Sequence, residues 1–216
     1  INKPAKTISH VLENSISIEE AVVQINPFLF LIPSSIRLAI CSERLYASAF
    51  REEILKTHLD KIKSTYDYIL LDSPPALGVL VNNIIYASDF IIIPCEVSIY
   101  ALEGMGDLIH AIKQIKRSPN FSQFKILITK IDSRNKNSNN HILDQLKNLH
   151  LDAFQTFVPR SEALNQASMA GKNIFDFDRS SKGAIAYTAL TKEVLDLCQN
   201  QKISRPSPAT NIPAMT

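Results

Sequence analysis

The chain has 216 residues, 45% of them hydrophobic, with 23 Lys and Arg against 21 Asp and Glu. That length suits one sizeable α/β domain or two small ones, and the near balance of charge excludes a generally basic nucleic-acid coat while leaving room for a local basic patch. Cys41, Cys95 and Cys198 are far apart and lack C-x-x-C spacing, which argues against a disulfide framework or a zinc site and fits a reducing cytoplasm.

In chain order, short aliphatic runs alternate with amphipathic stretches, the pattern of βαβ units around a parallel sheet. The first predicted strand, residues 28–32, stops at Pro33. Residues 42–63 carry Leu55, Leu59 and Ile62 at helical spacing. A second strand, residues 68–71, runs into Asp72 and is closed by Pro74 and Pro75, and a third, residues 90–93, stops at Pro94. Residues 103–117 place Met105, Leu108, Ile112 and Ile115 on one helical face. Strands follow at 126–129 and at 154–158, the latter closed by Pro159. The last helix begins near Ala184, with Tyr187, Leu190, Val194 and Leu197 as its stripe. No repeat is visible, so the expectation is one domain over residues 1–200. Residues 201–216, rich in Pro, Ser and Thr, read as a disordered tail. No apolar run approaches the roughly 20 residues of a membrane helix.

Ligands of open parallel sheets bind beyond the carboxyl ends of the strands. Asp72, Asp132 and the Pro159–Arg160 pair all fall at such ends. Asp72 by itself admits two readings. One is a cap or turn residue after a strand. The other is a Walker B carboxylate that holds Mg²⁺ through water beside a nucleotide.

The text around Asp72, "YDYILLDSPPALGVLVNNIIYASDFIIIPCEVSIYALEG", resembles the Walker B and switch II region of ParA/Soj-type partition ATPases, the deviant Walker A class. "SIEEAVVQINPFLFLIPSSIRLA" resembles the segment before it, and "ILITKIDSR", "TFVPRSEAL" and "SKGAIAYTALTKEVL" the segments after it, in the same order. The resemblance covers roughly residues 7 to 198. It implies a mostly parallel, twisted sheet flanked by helices, and an ATP- and Mg²⁺-dependent homodimer in the cytoplasm. It further implies non-specific binding to nucleoid DNA and a ParB-type DNA-binding partner that stimulates hydrolysis. Asp72 matches the catalytic, metal-holding Walker B acid. Thr129, Lys130 and Asp132 fall where relatives place a base-contacting loop, although the usual asparagine is absent. Pro159 and Arg160 match the loop that lies against adenine. Arg134 aligns with a basic residue that touches DNA phosphates, whereas a second basic position appears as Ala163. His110, Lys113 and Arg117 share a helical face and offer another basic surface. The septum-positioning branch of the superfamily carries a basic amphipathic last helix and the iron–sulfur carrier branch a C-x-x-C; neither is present here.

A phosphate cradle is built from glycines, because a backbone without Cβ atoms can wrap its N–H groups around the anion. The chain has five, and its one Gly-Lys, Gly171–Lys172, is followed by Asn173. Neither the ordinary phosphate-loop pattern nor its K-G-G-x-x-K-[ST] variant occurs in the 216 residues. The chain begins at Ile1 rather than Met and is expected to lack the family's first strand and phosphate loop; a paralogue without catalysis that binds DNA or a partner is the alternative. These 216 residues are therefore expected not to hydrolyse ATP. Magnesium-dependent phosphate release by the pure chain, abolished by Asp72→Ala, would overturn that expectation.

Overall fold

The computed structural model describes residues 4–96, 99–132, 134–149 and 151–204. The chain divides into two compact units, one of residues 1–91 and 107–123, the other of residues 92–106 and 124–216.

The first unit contains α1 (Ile8–Leu12), α2 (Ile18–Ala21), β1 (Val23–Asn26), β2 (Leu29–Leu31), α3 (Arg37–Leu45), α4 (Ile54–Ile62) and α5 (Val79–Ala87). The predicted strand at 28–32 is the second arm of an antiparallel hairpin rather than a parallel strand, with Val23 opposite Leu31 and Asn26 opposite Leu29. The reason is local: the Asn26 side chain accepts the Phe28 N–H at 2.9 Å, and with Pro27 between them the chain reverses there. Residues 42–63 form two helices instead of one, separated by a stretch in which Phe50 takes a left-handed φ of 52°.

The four residues at 68–71 form no strand. A strand draws its stability from a neighbour that accepts its ladder, and residues 68–71 enter neither of the described sheets. Leu70 is accordingly 89% exposed.

Among the described residues, two apolar clusters hold this unit. Leu12, Cys41, Leu45, Leu55 and Val79 make one; Val11, Ile18, Ala21 and Ile62 make the other. Between the helices lies a buried amide. The Asn83 side chain on α5 accepts the Leu55 N–H at 2.9 Å and donates to the carbonyls of Arg51, at 2.6 Å, and Val79, at 2.8 Å. Helix α4 has no side-chain cap of its own at Glu53, so Asn83 fills from another helix the role that an N-cap residue usually fills.

The second unit takes most of β3 (Ile91–Glu96), the first part of α6 (Ile99–Ile115), then β4 (Phe124–Ile131), α7 (Lys136–Asn148), β5 (Val158–Pro159), α8 (Glu162–Met169), α9 (Ile174–Phe177) and α10 (Lys182–Ser204). The sheet order is β3-β4-β5, and β4 pairs with β5 in parallel. Strand β4 is twice as long as its aliphatic run suggested. β5 is shorter, with only an isolated parallel bridge between Ile126 and Ala153 preceding it. Strand β3 continues through Pro94, which an edge strand tolerates because one side of it donates to nothing. Ile126, Ile128 and Phe154 are fully buried. Helices α8 and α10 pack so closely that a Cβ on Gly183 would meet Leu164 at 2.7 Å. Helix α10 runs to Ser204; the rest of the expected tail, 205–216, lies outside the described residues.

His58 on α4 is 4% exposed, and its Nδ1 has no hydrogen-bond partner among the described residues. Burial first, and the Lys61 charge second, hold its imidazole pKa below the ordinary value of 6.5, against a smaller opposing pull from Glu19. The folded chain thus resists a proton that the unfolded chain accepts, so stability is present above about pH 6.5 and is lost as the pH falls below it. The expected outcome is that His58→Leu gains on the wild type in urea-unfolding midpoint as the pH drops from 7.5 to 5.5. A constant difference across that range would show that His58 does not titrate with folding.

Candidate functional site

The carboxyl ends of β4 and β5 gather Thr129, Lys130, Asp132, Arg134, Pro159 and Arg160, all in the second unit. Strand β4 ends in a bulge. Thr129 pairs with Val158 and Ile131 with Pro159, so Lys130 is the extra residue between them. Lys130 takes a φ of 55°, a left-handed conformation that costs a non-glycine residue energy and often marks a functional turn. Its ammonium is paired with Glu96 at the end of β3. The Thr129 hydroxyl donates to the Cys95 carbonyl at 3.4 Å. Neither side chain is free as the strand stands.

Just past the bulge, Asp132 is the most heavily engaged group. Arg134 donates to it from its backbone N–H at 3.0 Å, from Nε at 2.9 and 3.2 Å, and from a terminal nitrogen at 2.6 Å. The Asp132 carbonyl accepts the Asn139 side chain at 2.9 Å and the Asn135 N–H at 3.0 Å. The Arg134 hydrogen bonds above all, with Arg160 adding charge, hold the Asp132 carboxyl far below the usual carboxylate range, and the same pair pushes the Arg134 guanidinium up. Asp132 and Arg134, assigned by resemblance to a base and to DNA respectively, thus satisfy each other.

Arg160 is exposed, and its N–H donates to the Ile131 carbonyl at 2.9 Å. Pro159 borders an apolar groove of about 450 Å³ between the strand ends and α10, with Phe157 and Ile131 on one side, Ile185, Ala186 and Ala189 on the other, and Lys182 at its rim. Sequence reasoning missed that groove. It also missed Glu193 of α10, whose carboxylate accepts the N–H groups of Gln155 at 2.9 Å and Thr156 at 3.1 Å. The signal was present: Lys182, Ala186, Ala189 and Glu193 recur at helical spacing on one face of the last helix.

Asp72 lies in the first unit, exposed, in a stretch without regular structure, and has no hydrogen-bond or ion-pair partner among the described residues. A magnesium ion bound through water asks a protein for one or two carboxylates, the nucleotide supplying the rest, and Asp72 fits as one. No cluster of three His, Cys, Asp or Glu occurs among the described residues. The phosphates fare differently. Gly171, the one glycine with a left-handed φ (62°), ends α8: its N–H reaches the Ser168 carbonyl at 3.0 Å and that of Lys172 the Ala167 carbonyl at 2.9 Å. These N–H groups close a Schellman-type stop and are not open to an anion.

Of the other basic candidates, Arg117 pairs with Glu53 at 3.1 Å and stacks on Tyr86 at 5.5 Å, while His110 shares a 2.9 Å hydrogen bond with Gln114.

Comparison with known proteins decides the family. Residues 1–126 match the AAA_31 family, described as an AAA domain. The chromosome-partitioning ATPase Soj of Treponema pallidum is 34% identical over 170 residues, covering 77% of this chain and 67% of that protein. The chain belongs to the ParA/Soj-type partition ATPase family. A plasmid partition protein from Borrelia burgdorferi, solved with AMPPNP, superposes with a TM-score of 0.77 at 25% identity, over 91% of this chain and 76% of that one. Cobyrinic acid a,c-diamide synthase from Mycobacterium smegmatis, solved with an ATP analogue and magnesium, superposes with a TM-score of 0.76 at 27% identity, over 97% and 78%. The fold is accordingly that of the ParA-type P-loop NTPases, a parallel sheet flanked by helices. The chain spans 60–70% of the length of the curated relatives that it matches. No helix among the described residues is long and apolar enough to cross a membrane.

Proposed function

We propose that the chain serves DNA partition as a ParA-type protein: it binds ATP with magnesium, dimerises in the cytoplasm on non-specific nucleoid DNA, and answers to a ParB-type DNA-binding partner. The observation that carries this reading is the convergence of Thr129, Asp132, Pro159 and Arg160 at one edge of the sheet, in a chain whose partition relatives match it along most of its length. In this reading the strand-end loops face the base, Asp72 holds magnesium through water, and Arg134 meets DNA phosphate. Bound magnesium would neutralise phosphate charge. No step of hydrolysis is assigned to these residues, because the described backbone offers no glycine nest for the phosphates.

Arg134 reaches a phosphate only by leaving Asp132. Its side chain is 84% exposed and that of Asp132 19%. With its guanidinium open to water the pair is screened and contributes little to stability, and a phosphate contact gains by releasing counterions as well. Duplex DNA at low salt therefore wins the guanidinium. Arg134→Ala is expected to weaken binding to any duplex sequence alike and to lower the slope of log affinity against log salt by about one charge. Asp132→Asn, which removes the competing carboxylate, is expected to tighten it. Filter binding over a salt series checks both; curves that coincide for the wild type and Arg134→Ala would take Arg134 out of the DNA surface.

A further inference from the structure

The approach to Pro159–Arg160 is held by very little sheet. β5 has two residues, one of them a proline without an N–H, and the β4–β5 register slips by one residue at Lys130. On the side after β5, the Arg160 N–H to Ile131 carbonyl bond fixes the chain. On the side before it, the two consecutive N–H groups of Gln155 and Thr156 point at a single acceptor, the half-buried Glu193 carboxylate, at 2.9 and 3.1 Å. A carboxylate presents an oxygen to each donor, whereas an amide presents one oxygen and one N–H. Bonds to a charged acceptor are about twice as strong as neutral ones. Glu193 lies on the same face of α10 as Lys182, Ala186 and Ala189, which form the wall of the groove that Pro159 borders.

We infer that Glu193 is a positioning residue for the nucleotide base. By clamping Gln155 and Thr156 to α10 it sets where Pro159 and Arg160 stand, and with them the base preference of the site. This role rests on the nucleotide reading above. Glu193 touches no base itself and acts only through the loop.

The test measures binding of mant-ATP and mant-GTP to the full 216-residue chain in magnesium, for the wild type, Glu193→Ala, Glu193→Gln and Leu190→Ala. Leu190 is buried on the same helix, so its truncation lowers thermal stability while leaving the Glu193 carboxylate in place. The expected result is an adenine preference in the wild type that collapses in Glu193→Ala, with mant-ATP affinity down about tenfold and mant-GTP affinity little changed. Glu193→Gln falls between the two, and Leu190→Ala keeps the wild-type ratio despite a lower melting temperature. A preference retained in Glu193→Ala, or lost equally in Leu190→Ala, refutes the positioning role and leaves the nucleotide reading standing. Equal affinity of the wild type for both probes refutes the role as well. If the wild type takes up neither probe, the nucleotide reading itself falls and the role falls with it.

Discussion

A β-strand is stable only against a partner that accepts its ladder, and that constraint governs what this chain builds. β4 has neighbours in β3 and β5 and is the longest strand, buried at Ile126, Leu127 and Ile128. Residues 68–71, an aliphatic run, belong to neither described sheet and remain irregular, with Leu70 exposed and Leu71 half-buried against the cluster around Leu12. Residues 23–31, lacking a parallel neighbour, find one in each other by folding back at Asn26, and Phe28 at the turn is 95% exposed. An aliphatic run states only a capacity to pair. The partner decides whether the strand exists, and with it whether the residue at its end is held.

That difference separates the two acidic residues singled out at strand ends. Asp132 follows a paired strand, and its carbonyl and carboxylate are both fixed by neighbours two to seven residues away. Asp72 follows a stretch that joins neither described sheet, and no hydrogen bond or ion pair holds its carboxylate among the described residues. Both carry the same chemistry, yet of the two only Asp132 is tied down by hydrogen bonds. Its pairing with Arg134 also shows why roles assigned one residue at a time conflict: an acid meant for a base and a base meant for an acid stand two positions apart and neutralise each other until a stronger anion competes.

The sequence revealed the helices with clear stripes, the position of β4 and the family, because aliphatic blocks, helical spacing and motif order are one-dimensional signals. It revealed the candidate residues at 129–134 and 159–160 for the same reason. The break of 42–63 into two helices was hidden, since the interruption depends on a left-handed Phe50 that composition does not announce. The hairpin was hidden because its turn signal, Asn26–Pro27, stood beside a run that fits a parallel strand equally well. Glu193 and the groove went unread because the helical spacing of Lys182, Ala186, Ala189 and Glu193 marks a face but not what it meets, and the N–H groups that Glu193 gathers lie 38 and 37 residues earlier in the chain.

What these hidden features share is polar side chains doing the work of missing backbone partners. Asn83 accepts the N–H of Leu55 where α4 lacks its own cap, Asn139 satisfies the carbonyl of Asp132, and Glu193 gathers two N–H groups ahead of a strand too short to engage them. Each acts where regular structure ends, because that is where backbone donors and acceptors run out of intrinsic partners. Ligand sites of parallel sheets lie at the same ends. The residues that shape such a site are therefore drawn less from the aliphatic core than from the few amides and carboxylates that tie off its strands. A conservative change at one of them alters the geometry of the site before it alters the fold.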